Sequence, residues 1–146
     1  MITLLCIGKL KNINFKTLFE DYFRRVKLFH KIELLEFKDS NKEDESKVVE
    51  DYIQNHPGKK YILLDEKGIQ YDSTNFSKKI QTYEKNMDDV VFLIAGPTGF
   101  TDKFKAKFND TFSLSKATFP HEMARVMLIE QIYRSFMILN NREYHK

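Results

Sequence analysis

The sequence predicts an α/β fold built on a mainly parallel sheet. Five short apolar runs alternate with segments whose apolar residues recur every three or four positions, the signature of strands interleaved with amphipathic helices. Strands so separated run parallel to their neighbours, because a parallel partner needs a crossover connection. With 146 residues, 42% of them hydrophobic and 31% charged, and no Pro-, Gly- or Ser-rich divider, the chain is predicted to be one domain spanning residues 1–146.

Ile2–Ile7 reads as a buried strand closed by Gly8. A helix follows, with Asn14 as its cap and one apolar stripe of Phe15, Leu18, Phe19, Tyr22, Phe23, Val26 and Phe29. Ile32–Phe37 is the second strand. The charged segment Lys38–Lys47 reads as an exposed loop leading into a short helix around Val48, Val49, Tyr52 and Ile53, which His56-Pro57-Gly58 stops. Tyr61–Leu64 is the third strand and ends at Asp65. Ser73 caps a helix that buries Phe76, Ile80 and Tyr83. The fourth strand, Val90–Ile94, feeds the loop AGPTGF (Ala95–Phe100), a short amphipathic helix bearing Phe104 and Phe108, and a fifth strand at Phe112–Leu114.

The last helix starts at Pro120 and is apolar over most of its circumference, leaving a narrow polar stripe of His121, Arg125, Glu130, Arg134 and Ser135. A sheet covers one side of such a helix, so its remaining apolar surface predicts a subunit interface, and hence a homodimer.

Composition excludes several classes. One cysteine, Cys6, forbids an internal disulfide and, in an apolar strand, reads as a buried structural thiol. There is no CxxC, HExxH or GxxxxGK[ST], so no metal site or P-loop is expected. The longest apolar run, Val90–Ala95, is far below the roughly 20 residues of a membrane helix. A cytoplasmic protein without membrane contact is the expectation. The net charge of +3 is unevenly placed: residues 1–98 balance, and all the excess lies in residues 99–146, where an anionic partner would dock.

Two segments can carry chemistry. Gly96 and Gly99, directly after the fourth strand, let main chain turn tightly and approach a ligand. Ser113–Arg125 (SLSKATFPHEMAR) puts a polar, irregular loop between a strand and a buried helix, a rigid place for a cradle. The tail, Asn140–Lys146, combines an aromatic ring, a histidine and cations, a composition suited to RNA bases and phosphates.

Taken together, IGK, YILLD, FLIAGPTGF, SLSKATFPHEMARVMLIEQIYRSF and the terminal EYHK resemble, over the entire length, the bacterial 23S rRNA pseudouridine N3-methyltransferases, the RlmH-type SPOUT enzymes. The resemblance implies a SPOUT-type sheet flanked by helices with a deep C-terminal trefoil knot, and a homodimer. It implies S-adenosylmethionine as methyl donor and a pseudouridine of 23S rRNA in the assembled ribosome as substrate. By position, Leu64, Ala95, Gly96 and the loop Leu114, Ser115, Lys116, Ala117, Thr118 and Phe119 match the cofactor contacts. His121 and Arg142 match substrate-binding positions, and Arg125, Tyr144 and His145 match catalytic ones. Ala95 departs from the family's Gly-Gly pair; a main-chain contact survives the added methyl, whereas a glycine-only backbone angle does not. His145 then has two readings, as acceptor of the N3 proton or as a binding contact. The rival functions are a non-catalytic ribosome-associated RNA-binding protein of the same fold, favoured only by Ala95, and a SPOUT enzyme with another RNA target.

Overall fold

A computed structural model describes residues 1–146 throughout. In chain order the elements are β1 (Ile2–Ile7), α1 (Ile13–Lys27), β2 (Ile32–Phe37), α2 (Lys42–Asn55), β3 (Lys60–Gln70), α3 (Ser73–Lys85), β4 (Val90–Ile94), α4 (Asp102–Lys105), β5 (Thr111–Ser113) and α5 (His121–Leu139). The strands form one five-stranded sheet in the order β2-β1-β4-β3-β5, and all its pairs are parallel. The expected α/β class and the five strands are therefore present.

Side chains on successive strand residues point to opposite faces. On β1 and β4 this sends Ile2, Leu4, Cys6, Val90, Phe92 and Ile94 into the larger core, beneath α1, α3 and α5. Leu5, Ile7, Val91 and Leu93 enter the smaller core on the other face, with Val49 of α2 and Phe104 of α4. Burial on both faces is why these strands read as unbroken apolar runs.

Several boundaries differ from the sequence expectation. Asn12, not Asn14, caps α1, its side chain accepting from the Asn14 and Phe15 N–H groups. Asp72, not Ser73, caps α3, accepting from the Asn75 N–H at 2.7 Å. α2 starts at Lys42, inside the expected loop: Asn41 caps it, and Glu43, Asp44 and Glu45 place negative charge at the positive end of the helix dipole. β3 runs on to Gln70 because it pairs with β5 on both sides of an irregularity between Leu64 and Ile69. Gly68 sits where the strand crosses β5, and a Cβ there would lie 2.8 Å from the Phe112 backbone.

The largest correction concerns α5. It packs against both α1 and α3, which are expected partners of the sheet but also close over the helix. Its apolar circumference is thus mostly covered within one chain. Two residues placed on its polar stripe are in fact buried. The Ser135 hydroxyl donates back to the Gln131 carbonyl at 2.8 Å. Arg125 is 1% exposed, and its guanidinium donates to Glu36 Oε1 at 2.8 Å, to the Gly8 carbonyl at 2.9 Å and to the Ile7 carbonyl at 3.4 Å. One side chain thereby ties the ends of β1 and β2 to the first turns of α5. Beside it, burial pushes the Cys6 thiol up to about 12, against the opposing effect of the Arg125 charge.

No helix is long and apolar enough to cross a membrane. No group of three or more His, Cys, Asp or Glu side chains could hold a metal ion.

Replacing Arg125 by Ala leaves the Glu36 carboxylate and two carbonyls without their donor. Denaturant unfolding of Arg125→Ala should show a loss of about 3 kcal/mol, the scale for removing one partner of a buried ion pair; a loss below about 1 kcal/mol would show that the tie is not structural.

Candidate active site

Ligands of open α/β sheets bind outside the carboxyl ends of the strands. Here the irregular middle of β3 and the loops that leave β4 and β5 meet the first turn of α5 and enclose a cleft of about 490 Å³, within the range of small-molecule sites. Leu64, Ile94, Ala95, Leu114 and Phe119 supply apolar walls, while the glycine loop supplies main chain. Gly99 takes a φ of +73°, which a side chain would strain. Gly96 is constrained differently: a Cβ there would point away from the cleft and lie 3.1 Å from Ile7 Cγ2. The loop therefore rests directly on β1.

α2 braces the same loop from behind. The Ser46 hydroxyl accepts the Thr101 N–H at 3.0 Å and donates to the Lys42 carbonyl at 2.8 Å. The neighbouring Glu45, 1% exposed, accepts the Ser40 N–H through Oε1 at 2.8 Å, and its Oε2 lies beside Gly96. The opposite wall is pinned to β3. Ser113 Oγ reaches the carbonyls of Ser115 and Glu66, Ser115 Oγ accepts the Ala117 N–H, and Thr118 Oγ1 donates to Glu66 at 2.6 Å.

Two carboxylates, Asp65 and Glu66, border the cleft together with Lys105. Partial burial raises the Asp65 pKa, but donors from the Lys67 N–H and Lys105, 3.1 Å away, outweigh it and hold the carboxyl below its ordinary range. The cleft thus offers main-chain groups, apolar side chains and two carboxylates, one of them paired with Lys105.

Residues 1–145 match the family described as "Predicted SPOUT methyltransferase". A relative from Mycoplasmopsis agalactiae, named ribosomal RNA large subunit methyltransferase H, is 40% identical over 99% of this chain and 98% of its own. One of the same name from Flavobacterium psychrophilum is 37% identical over the same shares. This chain belongs to the SPOUT methyltransferase family. Its fold is also that of a solved "probable methylase family protein" from Haemophilus influenzae Rd KW20, with a TM-score of 0.59 at 13% identity over 99% of this chain and 70% of that one.

Against this SPOUT frame the expected site residues separate into three groups. Leu64, Ala95, Gly96, Leu114, Ser115, Ala117, Thr118, Phe119 and His121 all line the cleft. Lys116 and Arg125 make a second group outside the cleft, Lys116 in an adjoining groove with Glu66, Lys67, Gly68 and Gln70. Arg125 is sealed behind the cleft in its tie to Glu36. Tyr144 and His145 form the third group, packed near Glu130 and Arg134. Arg142 is exposed in the same tail. From His121 to Glu130 and Arg134 the helical rise is about 13 to 20 Å, so the tail held there lies apart from its own chain's cleft. Ala95 proves sterically harmless, because the non-glycine residues with positive φ are Met87 and Asn141.

Sequence reasoning missed Glu66, Lys105, Glu45 and Ser46. For Glu66 a signal existed, since it comes directly after Asp65, where the sequence reading ended the third strand and a ligand is expected. Ser46 acts across 55 positions of sequence, which no local pattern reveals.

Ser46→Ala removes the acceptor of the Thr101 N–H. Hydrogen exchange at that amide should accelerate about fivefold, the equivalent of about 1 kcal/mol for one hydrogen bond, while amides of β1 stay unchanged; equal protection in both proteins would show that α2 does not brace the loop.

Proposed function

We propose that the protein is an S-adenosylmethionine-dependent methyltransferase that acts on N3 of a pseudouridine in 23S rRNA of the assembled ribosome, and that it works as a cytoplasmic homodimer. The observation that carries the proposal is the single cleft that gathers the glycine loop and the Leu114–Phe119 loop at the strand ends. The names of the full-length relatives point to the same RNA.

The residues fit the cofactor. Leu64, Leu114 and Phe119 can sandwich a purine, main chain at Ala95 and Gly96 can hydrogen-bond it, and the Glu66 carboxylate beside the Asp65–Lys105 pair can meet a cationic group of the ligand. Bound there, S-adenosylmethionine supplies an electrophilic methyl group. The chain's own part is alignment, water exclusion and stabilisation of a base that becomes anionic as it loses its N3 proton.

A second copy completes the site in this reading. Exposed Ile13 and Met123 flank the point where Glu122 accepts the backbone N–H groups of Lys11 and Asn12, next to the cleft wall at His121. Pairing through this surface buries it and brings one chain's tail, with Arg142, Tyr144 and His145, toward the other's cleft. We also read the segment after β4 as threaded into the family's C-terminal trefoil knot.

The deciding experiment is mass spectrometry of 23S rRNA from cells lacking this protein, before and after incubation of their ribosomes with purified protein and S-adenosylmethionine. A gain of one methyl on a pseudouridine is the expected result, and an unchanged RNA sinks the reading. Calorimetry should detect the cofactor bound to the free protein, and Gly96→Val should abolish the heat, because the new side chain collides with Ile7 and lifts the loop off β1.

Assembly and chemistry separate in a second test. Sedimentation should give a dimer at low micromolar concentration. Removing Tyr144, His145 and Lys146 should leave the dimer and its cofactor affinity intact yet abolish most methyl transfer. A monomer that methylates ribosomes at full rate would exclude the composite site.

A further inference from the structure

The tail is not free sequence. Tyr144 packs edge-on against Tyr133, with ring centres 4.9 Å apart, and the Arg134 guanidinium lies over its face at 4.8 Å. Its hydroxyl donates to Glu130 Oε1 at 3.0 Å and lies 3.0 Å from the Tyr22 hydroxyl. Because the one phenolic proton of Tyr144 is given to Glu130, Tyr22 must donate to the Tyr144 oxygen. Burial and these partners push the Tyr144 hydroxyl well above its ordinary range, so it stays protonated. Glu130 also receives Arg134, through Nε at 3.0 Å and Nη2 at 2.5 Å. The remaining arm of Arg134, Nη1, stands 3.2 Å from His145 Nδ1.

A guanidinium has five donors, no acceptor and a permanent charge. Its contact with Nδ1 requires a lone pair there, and a neutral imidazole with its lone pair at Nδ1 carries its proton at Nε2. Donors thus run in one direction, from Arg134 to His145, and end in a single outward N–H.

We propose that Arg134, held by Glu130, fixes His145 as a hydrogen-bond donor through Nε2–H, so that His145 binds a carbonyl oxygen of the target base and does not remove its N3 proton. The inference rests on the methyltransferase reading and deepens it, choosing between the two roles left open for this histidine. Pseudouridine carries a carbonyl on each side of N3, and the charge of its deprotonated form spreads onto both oxygens. A donor on one of them favours ionisation before transfer. The N3–H bond breaks and its proton leaves to solvent water; the electron pair left on N3 forms the N–CH₃ bond, and the pair of the breaking S–CH₃ bond stays on sulfur. The His145 proton remains on Nε2 throughout. Arg134 and Glu130 are positioning residues, acting on the base only through His145.

Two measurements test this. In ¹⁵N-labelled free protein, the nitrogen shifts of His145, assigned by comparison with His145→Gln, should show a protonated Nε2 and a bare Nδ1, and Arg134→Gln should abolish that fixed preference. A protonated Nδ1 in the parent protein overturns the proposal. In ribosome methylation at saturating cofactor, His145→Gln keeps a side-chain N–H donor but cannot accept a proton through it. It should retain the rate within about tenfold, while His145→Ala should lose about a hundredfold or more. Arg134→Gln should cost little further when added to His145→Ala, as expected for a residue that acts through another. If His145→Gln is as inactive as His145→Ala while both bind cofactor, His145 is the base and the proposal falls. If the parent protein fails to methylate ribosomes, the methyltransferase reading fails instead, and the nitrogen shifts still decide the tautomer.

Discussion

The constraint on which the rest of the molecule depends is the placement of one helix. α5 contains 19 residues and is about 28 Å long. It is wedged between α1 and α3 over the sheet and anchored at its start by Arg125. Its first turn closes the cleft through His121 and Ala124, and its middle and following turn carry Glu130 and Arg134, on which the tail is folded back. The rod holds the tail, folded back on its middle, apart from the cleft at its start. The order imposed on the catalytic loops, the tie between β1, β2 and the helix, and the need for a second copy in the proposed mechanism all follow from where that rod lies.

The two sides of the cleft are stiffened by different means. The glycine loop is held from below by Ile7 and from behind by Ser46, while the later loop is laced to β3 by short hydroxyl contacts from Ser113 and Thr118. Neither set points at a ligand. Their effect is to keep main-chain N–H and C=O groups in fixed directions, so that a ligand meets a preformed surface and little ordering entropy is lost on binding.

Much of this was legible in sequence wherever one physical pattern dominated. β2 and β4 keep the bounds read from sequence, β2 lying between Lys31 and Lys38 and β4 between Asp89 and the Ala95-Gly96 turn. The start of α2 was not legible, because Lys42–Lys47 is almost wholly polar and its helical character comes from Asn41 and the acidic first turn, without an apolar stripe to announce it. Nor was the reach of β3, whose second part contains Gly68 and Lys67 and is a strand only because β5 lies beside it. That the loop after β5 would line a cleft was legible from its motif, except that Lys116 borders the adjoining groove. Arg125 defeated composition-based reasoning: on a helical wheel it joins the polar stripe, yet its partners are 89 and more than 100 positions away in sequence, and only they make its burial tolerable.

The fully buried thiol of Cys6, pushed up to about 12 by its surroundings, has a practical side. At neutral pH it presents almost no thiolate, and the sheet shields it from reagents. With no other cysteine in the chain, the natural protein is silent toward maleimides and nitroxides. A cysteine introduced on the tail or on the glycine loop would be the sole reactive sulfur, so a fluorophore or spin label goes to one chosen place and the distance between the two halves of an assembly can be read without first stripping the native sequence.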